Sequence, residues 1–351
     1  MHDALTVGSL TAPPGTVAEG WLHIGELADG VTPVRVPVTI INGRDPGPLV
    51  YLHAGSHGQE TIHAVETLRR LRDGIDPTAL KGALVVVPLA NLLAHQFATR
   101  VAPHYAAREG VAFAGDLHKL WPGDPKGSLT QRIAHALWTG IASRCDAAID
   151  LHAVSDPGMA FAFMYRGGKV DALGSRAWEK SLAMAKAFGL TLVTTAPNPL
   201  TLAGACLDAG KPAFMVEMTR ARMLDDTVVE GTLLGIRNVL AHLGMIADEI
   251  RPQRGFLVLP GVHPALPTIR AERGGFIRYE VECGTFVAQG TVIARVRDVM
   301  GREVEAIAMP ADGYVMTFPP LSWVGNHAVV TGDLVADIFA PSESGPSRRA
   351  A

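Results

Sequence analysis

The sequence predicts an α/β domain, with a mostly parallel sheet covered by helices on both faces, followed by a smaller all-β domain. Three observations carry this. Buried-strand runs alternate with helical stretches from about residue 49 to about residue 243. Beyond about residue 251 helical periodicity stops, and short β-like runs separated by Gly turns take over. The length of 351 residues exceeds that of a usual single domain. The expected division is therefore a catalytic-sized domain at 1–250, a β-rich domain at 251–340 and a polar, disordered tail at 341–351.

Taken in order, the first 45 or so residues alternate apolar runs with Gly, Pro and Asn, as in VRVPVTIING, and read as a strand pair or meander feeding the main sheet. LVYLHAG (49–55) is a buried-strand run, followed by helical ETIHAVETLRRLRDG (60–74), and ALVVVPLAN (83–91) is a second strand. Ser128 with Gln131 three residues on has the spacing of a capping box, opening a helix with Ile133, Leu137 and Ile141 on one face. AAIDLHA (147–153), AFAFMY (160–165) and PAFMVEMT (212–219) are strands, with a long helical stretch expected over 170–189. The helix from about Asp225 carries Val229, Leu233, Ile236, Leu240 and Leu243 at helical intervals, and Gly244 is placed to stop it. The C-terminal runs GGFIRYEVECGTFVAQGTVIARV, EAIAMPADGYVMTF and HAVVTGDLVADIF read as a compact all-β module.

Composition excludes several classes. A net charge of −3 with no basic run argues against nucleic acid or an anionic membrane surface as partner. No stretch has the apolar length to span a membrane, and the N-terminus lacks the regions of a signal peptide. Three cysteines (Cys145, Cys206 and Cys283), widely spaced, form no disulfide framework and suit a reducing compartment, so a cytoplasmic location is expected.

The chemistry concentrates in HAGSHGQE. His57 and Glu60 form an H-x-x-E pair where a strand gives way to a helix, the end of an α/β sheet where ligands collect. With Gly58 easing the turn, one imidazole nitrogen and one carboxylate can meet at a common point, as a catalytic zinc requires of its ligands. By itself the pair is weak, since a solvated helix start has the same spacing. His152, ending the apolar strand AAIDLHA, supplies a third ligand, and Asp150 two residues earlier lies on the same face and could orient it. The alternative is a core histidine bonded within the sheet. Glu217 is a carboxylate inside the apolar strand FMVEM; burial without a partner is costly, so it either pairs structurally or sits in a working site, where it could move a proton to and from a metal-activated water. His53 and His63 flank the box and read as buried or structural neighbours, and Arg132 as a structural salt-bridge partner.

Together these residues resemble the succinylglutamate desuccinylase/aspartoacylase family, relatives of the zinc carboxypeptidases. The resemblance runs through the G-x-H-G-x-E box (55–60), PLAN (88–91) with Arg100, WPGDPKGSLTQRIAHALW, the IDLH strand and VEMTRARMLDDTVVEGTLLGIRNVLAHLGM (216–245). It implies a zinc-carboxypeptidase-like mixed sheet flanked by helices, with a β-rich C-terminal domain that overhangs the site. It also implies one zinc per chain held by His57, Glu60 and His152, Glu217 as general base and acid, and Arg100 near the scissile carbonyl. The family's Asn-Arg pair, whose Arg binds a substrate carboxylate, is replaced here by His118 and Lys119. Lysine keeps the cation but lacks the planar fork. The implied activity is therefore hydrolysis of an N-acyl amide on a small molecule, with an acyl amide unlike those of aspartoacylase or the desuccinylase. A metallocarboxypeptidase, an esterase and a non-catalytic metabolite binder are the alternatives. The C-terminal module is loosely similar to a biotinyl/lipoyl barrel, but AMPADG (308–313) has no lysine to modify, so shaping the entrance and contributing homo-oligomer contacts are its expected roles.

Overall fold

The computed structural model describes residues 3–103, 115–154, 158–165, 176–321 and 326–342. A small hairpin, β1 (Leu5–Val7) and β2 (Leu10–Ala12), precedes the main sheet. That sheet takes β3 (Thr16–Glu26), β4 (Pro33–Asn42), β5 (Asp45–Ala54), β6 (Lys81–Val87), β7 (Ala147–Ala153), β8 (Phe161–Tyr165), β9 (Thr191–Thr195), β10 (Ala213–Met218) and β11 (Val262–Pro264), in the order β11-β9-β8-β10-β7-β5-β6-β4-β3. The helices among the described residues are α1 (Ile62–Gly74), α2 (Leu92–His95), α3 (Leu129–Leu137), α4 (Arg176–Phe188), α5 (Leu202–Asp208) and α6 (Asp226–His242).

The sheet is mixed. The centre, β10-β7-β5-β6, is parallel, whereas β8 runs antiparallel to β10, and β4 and β3 close one edge as antiparallel strands. Parallel central strands must be covered on both faces, and the apolar pattern complies. Val50, Leu52 and Ala54 of β5, Ile149 and Leu151 of β7, and Phe214 and Val216 of β10 share one core with α1, α4 and α6. Tyr51, Ala148 and Met215, one residue out of phase, point to the opposite face, where α2, α3, α5 and the β1–β2 hairpin form a second core. Period-two alternation therefore puts His53, Asp150, His152 and Glu217 on this second face.

Local signals set the helix ends. Ser128 accepts from the Gln131 backbone and Gln131 returns the bond, so the expected capping box opens α3. Asp225 caps α6 through Thr227 and Val228, and Gly244 follows its end at φ +71°. The helix expected over 60–74 starts two residues later, at Ile62, because residues 57–60 form the turn that carries the site. The stretch expected over 170–189 is helical at Arg176–Phe188, and its earlier part lies outside the described residues, as does most of the expected tail.

After α6 the chain adds β11 to the free edge of β9 before it enters the C-terminal β module. There β12 (Ile269–Arg270), β13 (Gly275–Tyr279), β14 (Phe286–Val287), β15 (Val292–Arg297), β16 (Glu303–Ala308), β17 (Gly313–Thr317), β18 (Ala328–Val329) and β19 (Leu334–Phe339) form two four-stranded sheets, β12-β19-β17-β14 and β16-β15-β13-β18. They enclose their own core of Ile277, Ile293, Val296, Val315, Val335 and Ile338. Met316 and Phe339 of this module pack on Phe161 and Val193 of the large sheet, which brings β17 and β19 to the mouth of the second face. The expected class, an α/β domain with a mixed, helix-flanked sheet and a smaller all-β part, is the one observed. No helix among the described residues is long and apolar enough to cross a membrane.

Candidate metal and substrate site

The site begins in the loop after β5. The Ala90 and Asn91 backbone amides donate to the Ala54 and Gly55 carbonyls, and the Asn91 side chain donates to the Ser56 carbonyl while capping α2. Gly55 turns the chain at φ +71°, and Gly58 lies so close to the backbone of Ala94 and His95 that a Cβ would overlap it. The PLAN segment is thus the support on which the G-x-H-G-x-E loop rests. His57 and Glu60 emerge from that loop, both at 6% exposure or less.

The third strand-end residue meets them. His57 Nδ1 lies 3.0 Å from Glu60 Oε2, and His152 Nδ1 lies 3.1 Å from Glu60 Oε2 and 3.2 Å from His57 Nδ1. Two imidazole nitrogens and a carboxylate oxygen converging in this way form a set of electron-pair donors suited to a cation. A tetrahedral zinc with bonds of about 2.0–2.1 Å has ligand edges of about 3.3–3.4 Å, close to these separations. The residues fit the metal.

Each histidine of this set has a carboxylate behind it. His57 Nε2 sits 3.2 Å from Asp116 Oδ1, and His152 Nε2 sits 3.3 Å from Asp150 Oδ1. Burial raises both carboxyls, but the neighbouring imidazoles outweigh it and hold Asp116 and Asp150 well below the usual carboxylate range. Burial likewise disfavours charge on His152, yet Asp150, Glu60 and Glu217 together push its pKa up. This arrangement fixes which nitrogen faces the metal position. Sequence spacing pointed to Asp150. Asp116 had no such signal beyond the Asp-x-His spacing with which it also caps the 3₁₀ turn at His118.

Glu217 is in register with His152 on the adjacent parallel strand. Its environment is desolvated, which pushes its pKa up to about 8, and among the described residues its Oε2 finds no hydrogen-bond partner. Arg100 lies within the same shell, with Nη1 3.2 Å from Glu60 Oε1.

These groups open onto one cavity of about 260 Å³, lined on one side by His57, Glu60, Arg100, His118, Lys119 and Glu217. His118 is buried beside the ligand rings, 4.7 Å from His152 centroid to centroid, with Nε2 3.3 Å from the Tyr165 hydroxyl. Burial and the adjacent histidines push its pKa well down, so it is neutral. Lys119 is more exposed, its Nζ 3.9 Å from Asp116 Oδ2. The cavity is thus lined by six of the seven residues singled out from the sequence, and the seventh, His152, sits behind them against Glu60 and His57. Tyr165, Asn198 and Thr195 also line it and carried no sequence signal.

The flanking residues serve the fold. His53 is held between the hydroxyls of Tyr51 and Ser56, at 2.7 and 2.8 Å, and burial lowers its pKa to about 4. His63 Nε2 accepts from the Asp225 backbone at the start of α6. Arg132 does not form the expected ion pair among the described residues; its Nε donates to the Gly127 carbonyl, because Gly127 lies one turn before it at the start of the helix.

A helix-flanked mixed sheet thus carries a buried His-Glu-His set that could hold a cation, with the Glu217 carboxylate on the adjacent strand. The chain belongs to the succinylglutamate desuccinylase/aspartoacylase family, whose catalytic-domain model matches residues 46–243. Over 318 residues it is 27% identical to the N-alpha-acetyl-L-2,4-diaminobutyric acid deacetylase of Halomonas elongata, a match covering 87% of each chain. Its fold is similar to that of the succinylglutamate desuccinylase/aspartoacylase of Rhodobacter sphaeroides (TM-score 0.77, 23% identity, covering 93% of this chain and 96% of that one). It is also similar to the product-bound ectoine utilization protein EutE (DoeB) of Ruegeria pomeroyi (TM-score 0.79, 21% identity, covering 97% and 99%).

Proposed function

We propose that this chain is a zinc-dependent hydrolase that cleaves the N-acyl amide of a small amino acid. The observation that carries the reading is Glu217, a buried carboxylate on the strand next to His152 whose Oε2 has no hydrogen-bond partner among the described residues. A purely binding site has no use for such a base. Zinc, when bound, would supply a Lewis acid and a water acidified toward neutral pH.

The protein's own groups then divide the work. Glu217, made more basic by burial, accepts the proton of the attacking water and returns it to the leaving amine. Arg100 offers its guanidinium to the oxygen on which negative charge develops. Lys119 offers a single cationic contact to a carboxylate of the substrate, and neutral His118, braced by Tyr165, walls the site beside it. The cavity is smaller than the about 300–1,000 Å³ of drug-sized sites, which favours an acylated single amino acid over a peptide.

The test is Glu217→Gln in protein assayed on N-acetyl and N-succinyl amino acids, N-alpha-acetyl-2,4-diaminobutyrate among them. Zinc content should be retained while kcat/KM falls by about 10²–10⁴-fold. A zinc-loaded parent that hydrolyses none of the panel, or a Gln variant with parental turnover, would overturn the reading.

A further inference from the structure

We infer that Asp337, supplied by the C-terminal β module, binds a cationic amine on the substrate's side chain, so that the preferred substrates are N-acyl amino acids carrying a second, free ammonium group. The assignment of the reaction rests on the deacylase reading; the recognition does not.

Three carboxylates line the cavity: Glu60, Glu217 and Asp337. Glu60 belongs to the donor triad and Glu217 faces it, which leaves Asp337 without a task in the chemistry. It lies on β19, the strand that the module's packing carries to the cavity mouth. The Thr268 hydroxyl donates to Oδ1 at 2.8 Å and the Thr317 hydroxyl donates to Oδ2 at 2.9 Å. Each oxygen is thereby fixed in direction and keeps a second lone pair for another donor. Among the described residues Asp337 makes no ion pair, although part of its surface remains open to the cavity.

A carboxylate in such surroundings lacks the compensation that a buried charge needs. Burial pushes its pKa up, and the two hydroxyls and the more distant Arg100 pull it back only in part. An ammonium from the ligand would complete the pair. Phe161, Phe163 and Met316 on the same walls suit the methylenes that would carry that ammonium, and their apolar surface strengthens the attraction by excluding water. The same carboxylate discriminates against acidic side chains, because an N-acyl aspartate or glutamate would set like charges together.

The experiment uses the zinc-loaded full chain and Asp337→Asn, an isostere that retains hydrogen bonding to the threonines. Calorimetric titration compares 2,4-diaminobutyrate with norvaline, which replaces the ammonium by a methyl group, and with aspartate. The parent should favour 2,4-diaminobutyrate over norvaline by about tenfold or more, as expected for a desolvated charge pair, and should bind aspartate least. In the Asn variant that ratio should fall to near one, with norvaline affinity unchanged within about twofold. A parent that does not discriminate, or a variant that weakens both ligands equally, would overturn the inference and leave Asp337 as a tie between strands. Should the Asn variant not fold, Thr268→Val loosens the same carboxylate: a reduced ratio supports the assignment and an unchanged one overturns it. Kinetics on the Nα-acetyl forms separate the two readings, since binding preference without any hydrolysis would refute the deacylase and leave the ammonium site standing.

Discussion

Replacing Asp116 by Asn probes the electrostatic support of the metal site. His57 turns Nδ1 toward the triad, so Nε2 must carry the proton that it donates to Asp116 Oδ1 at 3.2 Å. The carboxylate thus selects the tautomer whose lone pair faces the metal and makes the imidazole a better donor. Asp116 is 5% exposed and remains ionised, since the hydrogen bond from His57 and the charge of Arg100 outweigh its burial. Asparagine removes that charge, and in one flip state it turns an amide N–H against the imidazole N–H. Loss of such a partner lowers metal affinity by about 10–100-fold, or about 1.4–2.7 kcal/mol. The amide oxygen can still accept from the His118 backbone, as Oδ1 does now at 3.2 Å, so the turn at 117–119 should persist. Zinc competition against a chromophoric chelator reads the affinity directly, with circular dichroism as the check on folding. A folded Asn variant with parental zinc affinity would refute the tautomer argument.

Two further outcomes follow from the same geometry. Glu217 must be ionised to accept a proton; burial raises its pKa from 4.5 to about 8 in the metal-free chain, and a cation at the triad lowers it again. The kcat/KM of zinc-loaded enzyme should therefore rise with pH along a limb between those two values, and a profile flat from about pH 4 to 8 would contradict Glu217 as the base. Gly58→Ala should destabilise the chain by about 1–3 kcal/mol and reduce zinc occupancy, because the new methyl overlaps the rigid backbone of Ala94 and His95; an unchanged melting temperature and zinc content would show that the loop can yield.

Much of this was legible because strong local signals coincide with the site. The box at 55–60 announces itself by its residue types, and strand alternation alone puts Asp150 and His152 on one face, whereas it is the register of β10 on β7 that sets Glu217 beside them. The capping box at Ser128 and the Asp225 and Gly244 ends of α6 are short-range chemistry, readable without tertiary context. What escaped depends on distant contacts. Asp116 lies 59 residues from His57, and nothing in a single sequence pairs them. Joining β11 to β9 links residues about 70 positions apart, which a change of texture at 251 does not disclose. Asp337 lies in an ordinary alternating strand, and only the packing of Met316 and Phe339 on the large sheet shows that it reaches the cavity.

The central claim is that His57, Glu60 and His152 hold one catalytic zinc. Elemental analysis of the purified chain beside a His57→Ala/His152→Ala variant tests it most directly. The account predicts about one zinc per chain in the parent and its loss from the folded variant. A parent that carries no metal and takes up none on titration with zinc would contradict it.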